Sequence, residues 1–196
     1  ILAEKLASQV LGDEYAILEY YIGKDLEYKE YEQLIPELHV DGGFFVCCDE
    51  YVTVDNGTGI VHMAPAFGED DARVGGNYHL PYVNPVGRDG AYTEGPWKDM
   101  LVFDADEKVI EYLKENGKLF KKQRIIHSYP HCWRCHSPLI YYTLPSYYIA
   151  VSKYKDEIIE ANKKVNWYPS YVGEKRFGNW LLNLKDWAVS RTRYWG

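Results

Sequence analysis

The chain lacks an excess of basic side chains, with 22 Lys and Arg against 29 Asp and Glu and a net charge of −7. This balance argues against general binding to nucleic acid, which needs a basic footprint. No segment approaches the roughly 18 apolar residues of a membrane span, and no secretory signal is visible. With 46% hydrophobic residues, we expect a packed cytoplasmic protein. Because the sequence begins at Ile1 without Met, we expect a fragment of a longer one.

Cysteine is also sparse, with four in 196 residues. Cys47 and Cys48 are neighbours and are poorly placed to bond each other, whereas Cys132 and Cys135 form a C-x-x-C. Without a secretory signal, this usage indicates metal binding or free thiols rather than disulfides. Zinc at Cys132 and Cys135 is one interpretation, but tetrahedral zinc needs four ligands. Two free thiols in a surface ribbon are the other. Three histidines stand close to the pair: His127, His131 and His136.

Apolar spacing and turn residues predict both helices and strands. The predicted helices cover residues 1–11, 69–78, 104–116 and 153–164. The predicted strands cover residues 15–22, 44–54, 58–64, 118–127 and 139–151, with a turn at Asn56-Gly57 that joins the second and third as a hairpin. We expect Asp104 to cap its helix and Gly117 to end it. Because helices and strands mix without strict alternation, the fold class predicted is α+β.

Two features of charge and apolarity lie in the second half of the chain. The tail, 174–196, is expected to place Trp180, Leu181, Leu184 and Trp187 on one helical face. Two basic clusters could touch phosphates, although such runs are usually solvated faces, and for the first cluster we favour that reading. Their members are Lys118, Lys121, Lys122 and Arg124, and then Lys175, Arg176, Arg191 and Arg193.

The most informative stretch is residues 57–71, which reads as a strand, a Gly/Pro corner and an acidic helix start. Alternation along a strand that is apolar on both faces predicts that His62 lies at the interior. The glycines, Gly57, Gly59 and Gly68, permit close backbone approach or positive φ. Helical spacing directs Asp71 inward and Asp70, beside Arg73, toward water. An inward carboxylate can hold a ligand ammonium, although a cap and a core histidine are the structural alternatives.

These residues resemble the GTGIVHxAPAFGxDD signature of the editing domain of isoleucyl-tRNA synthetase. Residues 127–140 resemble the segment after that editing core, and residues 176–196 resemble the return into the catalytic domain. The sister valyl and leucyl enzymes differ at this point, where they carry GTGAV and a PAHD core. The resemblance covers most of residues 40–196, in the right order.

The resemblance implies a β-barrel-like editing core with surrounding helices and a C-terminal extension. It implies an aminoacyl-tRNA synthetase that hydrolyses valine mischarged onto isoleucine tRNA, because one missing methylene allows only about 150-fold discrimination. Asp71 matches the residue that binds the substrate ammonium, and His62 matches the residue against the amino-acid side chain. We infer that Phe67 and the backbone of Gly57 and Gly59 shape the cavity.

The resemblance also divides the chain and names its partners. The expected parts are an editing core at 1–128, a C-x-x-C ribbon and connector at 129–173, and a return segment at 174–196. The expected partners are the acceptor end of isoleucine tRNA carrying valine and the parent catalytic domain, on which the Trp face of the return segment packs. ATP and magnesium belong to the parent enzyme alone.

One departure concerns activity. The family's editing site also uses a Thr-rich TTPWT-like run, and this sequence contains none, nor the HIGH and KMSKS motifs of ATP binding. The activity of the isolated chain therefore stays open. Two alternatives remain: a metal-dependent hydrolase using His62, Asp70, Asp71 and His79, and a non-catalytic RNA-binding module with a zinc ribbon.

Overall fold

The structure is a computed structural model that describes residues 1–191. The chain divides into two compact units, the first covering Ile1–Thr143 and the second beginning at Leu144. The division of the sequence at 128 and 173 stays a prediction. Within residues 1–191, no helix is long and apolar enough to span a membrane.

The first unit contains three α-helices and two short 3₁₀ turns. A 3₁₀ turn at Glu4–Leu6 leads into α1, Ala7–Leu11, and a second lies at Gly23–Leu26. Helix α2 spans Glu69–Asn77 and α3 spans Val102–Glu115. These three α-helices confirm the helices predicted from apolar spacing in this unit.

The ends of α3 confirm one predicted signal and correct another. Gly117 follows the helix with φ +65°, which is the left-handed conformation expected of a glycine stop. The expected cap is wrong, because α3 begins at Val102 after Leu101. Asp104 lies instead within the first turn, where its carboxylate suits the positive end of the helix dipole.

Pairing between extended segments in the first unit is limited to isolated antiparallel bridges. They join Glu30 to Phe45, Val86 to Tyr92, Ala91 to Leu101 and His131 to Pro138. The strands predicted at 15–22, 58–64 and 118–127, and the hairpin at Asn56-Gly57, are wrong within the described residues. A strand needs a neighbouring strand to pair with its backbone groups, and within residues 1–191 these segments take part in no strand pairing or bridge.

The core of the first unit is built from small and branched apolar side chains. Ala66 and Ala105 are fully buried and Val74 is 1% exposed. The other members are Leu6, Ala7, Leu26 and Val86. Helices α2 and α3 thus each bury a residue in this core, and Ala66 places the corner before α2 in it.

The second unit combines one small sheet with a helical cluster. Strand β1, Tyr148–Ile149, pairs antiparallel with β2, Trp187–Ala188. A 3₁₀ turn at Val151–Tyr154 precedes α4, Lys155–Lys163. A π-helix at Val172–Phe177 continues into α5, Gly178–Leu182. The mixed helix-and-sheet class is therefore confirmed, while no barrel is present among the described residues.

The tail departs from its predicted single helical face. Helix α5 ends at Leu182, so Trp187 lies in a strand rather than on that helix. Leu181 and Leu184 are buried, whereas Trp180 and Trp187 are about half exposed, at 51% and 53%. Arg193 of the second basic cluster lies outside the described residues.

Candidate functional site

The corner that leads into α2 is held by the third acidic residue of the run. One carboxylate oxygen of Asp71, Oδ2, accepts the backbone N–H of Ala64 at 2.9 Å. The N–H of Phe67 closes the turn by donating to the carbonyl of Ala64 at 2.9 Å. Asp71 is half-buried and shares its helix face with Val74. The prediction that Asp71 looks inward is confirmed.

Asp70 turns to water, as predicted, and pairs with Arg73 at 3.2 Å. The same guanidinium donates to both carboxylate oxygens of Asp49 at 2.8 Å. This two-pronged contact holds the pKa of Asp49 at about 2, below its usual value. Arg73 therefore ties the solvent face of α2 to the segment around residue 49 and keeps the helix start in place.

This ion pair predicts a change of stability with acidity. Because the pKa of Asp49 is lowered from 3.8 to about 2 on folding, its contribution is complete above pH 3.8 and is lost as the pH falls toward 2. In Asp49→Asn, the melting temperature should therefore fall less steeply across this window than in the wild type. Asp55→Asn, at an exposed pair with Lys5, is the matched control and should keep the wild-type slope; equal slopes in all three proteins would contradict the assignment.

Two residues far along the chain hold the corner from the other side. The hydroxyl of Thr143 donates to the carbonyl of Ala66. The ring of Tyr142 meets that of Phe67 edge-on at 6.4 Å, and its hydroxyl donates to the carbonyl of Val86 at 2.9 Å. Sequence reasoning missed both residues, because they stand in an aromatic segment read only as a strand.

His62 lies before this corner and is exposed, which corrects the expectation that it is interior. The surrounding apolar residues are also open, with Ile60 at 51% and Val61 at 52% exposure. Burial on both faces required a paired strand, and the segment is irregular. Within residues 1–191, the His62 ring makes no hydrogen bond or ion pair, so the structure shows no polar contact between His62 and Asp71.

The glycines of the stretch behave as predicted. Gly57 and Gly59 have φ of +70° and +74°, which side chains rarely adopt. A Cβ on Gly59 would lie 2.6 Å from the Cβ of Ala3. The N–H of Ala3 donates to the carbonyl of Thr58 at 2.7 Å, so the glycine allows the N-terminal segment to approach.

The C-x-x-C pair forms a tight turn. The N–H of Cys132 donates to the carbonyl of Ser137, and that of His136 donates to the carbonyl of Cys132, both at 2.8 Å. The Ser137 hydroxyl lies 3.1 Å from Cys135 Sγ. Hydrogen bonds from the hydroxyl and amide of Ser137, and then from Cys132, lower the pKa of the Cys135 thiol to about 7. All four cysteines of the chain are free thiols.

The described residues do not complete a metal site. Within residues 1–191, no three His, Cys, Asp or Glu side chains converge to hold a metal ion. His131 instead directs Nδ1 to the carbonyl of Tyr129 at 2.8 Å. The pair Cys132 and Cys135 thus offers two of four zinc ligands. The set proposed for a metal-dependent hydrolase diverges as well, because Asp70 pairs with Arg73 while Asp71 binds a backbone amide.

Three lysines of the first basic cluster are engaged in contacts within the first unit. Lys118 pairs with Glu32, Lys122 pairs with Glu107, and Lys121 donates to the carbonyl of Val10 at 3.0 Å. These contacts favour the structural reading of that cluster.

Two surface hollows lie in the second unit rather than at Asp71. One, of about 570 Å³, is lined by Asp186, Trp187, Ala188, Val189 and Arg191. The other, of about 480 Å³, is lined by Trp167, Val172, Arg176, Phe177 and Trp180. The two share no residue.

Comparison with known proteins identifies the class. The family described as tRNA synthetases class I (I, L, M and V) matches residues 20–196, and the chain belongs to that family. Isoleucine–tRNA ligases are similar over the whole chain: 46% identical in Clostridium novyi, 45% in Picrophilus torridus and 41% in Thermus thermophilus. The chain spans only 19% of the length of these relatives.

These relatives confirm the resemblance inferred from residues 57–71. They also confirm that the chain is related to an aminoacyl-tRNA synthetase, as the signature and the return segment predicted. Their names describe ligation, so editing is a separate question that rests on the corner at Asp71.

Proposed function

We propose that this chain is the editing part of an isoleucine–tRNA ligase and hydrolyses valine mischarged onto isoleucine tRNA. The observation that carries the proposal is the position of Asp71, whose Oδ2 is held by the Ala64 N–H at 2.9 Å. Because that bond fixes the side chain, the carboxylate is pre-oriented to receive the α-ammonium of an aminoacyl ester. We infer the substrate from the 46% identity to the isoleucine–tRNA ligase of Clostridium novyi.

The reaction requires no covalent intermediate. A water oxygen attacks the ester carbonyl carbon, the bond to the ribose oxygen breaks, and that oxygen takes up a proton. The products are valine and a free tRNA 3′ end. In this proposal Asp71 binds the substrate ammonium, and His62 lies against the amino-acid side chain of the substrate. Phe67 and the backbone at Gly57 and Gly59 shape the cavity around that side chain.

The remaining assignments belong to the same proposal. We propose a barrel-like editing core for the complete ligase; its one support in this chain is the isolated antiparallel bridge of Glu30 with Phe45. The return segment at 174–196 meets the catalytic domain through β2, and the exposed Trp187 of that strand supports the contact. The ligase that contains this chain works in the cytoplasm on tRNA. Zinc at Cys132 and Cys135 needs two further ligands, and no step depends on it.

The test is discrimination between two charged tRNAs. The chain should replace the aligned segment of the Clostridium novyi ligase, and release of the amino acid should be followed with Val-tRNA and Ile-tRNA. We expect hydrolysis of the valine ester and survival of the isoleucine ester, because the extra methylene prevents entry. Equal hydrolysis of both esters, or of neither, would contradict the proposal. Chelator should leave the rate unchanged, which separates this function from a metal-dependent hydrolase.

A further inference from the structure

The second unit carries an aromatic hollow that the proposed editing reaction does not use. It is lined by three aromatic rings, one valine and one arginine and encloses about 480 Å³. The three rings belong to Trp167, Phe177 and Trp180. None of these residues lies near Asp71 in sequence, and all belong to the unit that begins at Leu144.

The innermost ring is fixed by a polar frame. Trp167 Nε1 donates to Asn162 Oδ1 at 2.9 Å, and Asn162 Nδ2 donates to the carbonyl of Gly173 at 3.1 Å. A Cβ on Gly173 would lie 2.0 Å from Trp167 Cδ1. The indole therefore lies directly against the bare backbone of the π-helix, where only glycine leaves room for it.

The other two rings continue from this anchor as a stack. The Phe177 centroid lies 5.2 Å from that of Trp167 and 5.5 Å from that of Trp180. The planes of the Phe177 and Trp180 rings are nearly parallel, with an angle of 18° between them. Trp180 ends the series and is 51% exposed. A flat ring from outside can therefore extend the stack on its open face.

The positive charge at the hollow indicates which kind of aromatic ligand it can bind. Arg176 lines it, and within residues 1–191 its guanidinium makes no hydrogen bond or ion pair. Residues 144–191 contain eight basic and five acidic side chains, although the net charge of the whole chain is −7. A purely apolar occupant would leave this guanidinium without a partner, whereas a nucleotide offers both a base and a phosphate.

We propose that this hollow binds one nucleotide of single-stranded RNA, with its base stacked on Trp180 and its phosphate at Arg176. The choice of RNA rests on the proposed function, since the chain's relatives act on tRNA. The overall negative charge is compatible with this site, because one stacked base and one phosphate contact need only a local positive patch.

The intact chain of 196 residues should be titrated with a short, fluorescein-labelled single-stranded RNA that ends in CCA, followed by anisotropy. Trp180→Ala should weaken binding about fivefold or more, because stacking on an aromatic residue contributes about 1–3 kcal/mol per base, while Trp180→Phe should restore much of it. Arg176→Ala should also lower the slope of log affinity against log salt by about one.

Matched controls lie in the same unit. Tyr154 is 56% exposed, and Lys153 beside it is an exposed cation. Tyr154→Ala and Lys153→Ala should bind the RNA as the wild type does. If all variants bind alike, the RNA sits elsewhere and the proposal is overturned, as it is if the wild type does not bind.

A protein occupant is the competing outcome. In the Clostridium novyi ligase carrying this chain, quenching of tryptophan by acrylamide should differ between wild type and Trp180→Phe if the indole is open. If quenching is the same in the wild type and in Trp180→Phe before any RNA is added, another part of the ligase covers the hollow. That result would overturn the proposal. Because the RNA probe carries no amino acid, its binding is decided independently of whether Val-tRNA is hydrolysed.

Discussion

Replacing Asp71 with alanine should remove most hydrolysis of Val-tRNA in the ligase that carries this chain. The substitution deletes the carboxylate proposed to bind the substrate ammonium and leaves that charge without its partner. Losing one member of a buried charge pair costs about 2–5 kcal/mol, so the rate should fall by at least about 30-fold. Single-turnover deacylation measures this directly.

Two further variants separate binding from structure. Asp71→Asn keeps an oxygen that can accept the Ala64 N–H, so the corner stays closed while the charge is lost; hydrolysis should still fail. Asp70→Asn changes the neighbouring carboxylate, which faces water and pairs with Arg73, and should retain activity. Full activity of Asp71→Asn would show that the carboxylate does not hold the substrate.

Leu181→Ala should destabilise the second unit by about 2–5 kcal/mol, the range for removing a buried leucine side chain. Leu181 is 1% exposed and Leu184 is 8% exposed, and no other apolar side chain among residues 144–191 is buried so deeply. A core this small has little to replace the lost contacts. Hydrogen exchange over Lys155–Lys163 and Gly178–Leu182 should lose most of its protection.

The adjacent residue provides the control. Leu182 has the same chemistry but is 56% exposed, so Leu182→Ala removes no buried surface of comparable size and should leave protection near the wild type. Similar losses in both variants would mean that Leu181 does not form the core of this unit.

Helices could be predicted from the sequence because their signals and their hydrogen bonds are local. The acidic run in the first turn of α2 and the glycine after α3 each act within a few residues. The exact start of α3 could not be predicted, because Asp104 suits either a cap or a first turn. Local patterns therefore located both helices and the first residue of α2, Glu69, but not the first residue of α3.

Strands could not be predicted equally well, because each depends on a partner that the pattern does not identify. The segment at 15–22 has the apolar and aromatic composition of a strand, yet Leu18 is 94% exposed. The same dependence misplaced His62, whose predicted burial assumed a paired strand at 58–64. Apolar alternation indicates that a segment can form a strand, and the available neighbours decide whether it does.

The sequence predicted the orientation of side chains within α2 but not the contacts of the candidate site with other segments. Helical spacing alone distinguished the inward Asp71 from the outward Asp70. The partner of Asp71 proved to be a backbone amide, at Ala64, and no sequence pattern marks an amide. The contributions of Tyr142 and Thr143 were also invisible, since nothing in their own segment indicates which distant loop they contact.

The contacts from Tyr142 and Thr143 set an order for events during synthesis. Thr143 bonds the carbonyl of a residue 77 positions earlier, so the corner before α2 leaves the ribosome well before its second support exists. At about 5–20 residues per second, that interval is about 4–15 s. Until it ends, only the contacts within residues 64–71, from Asp71 and Phe67 to Ala64, hold the corner closed, and a nascent chain released before residue 142 would carry the signature without the contacts from Tyr142 and Thr143.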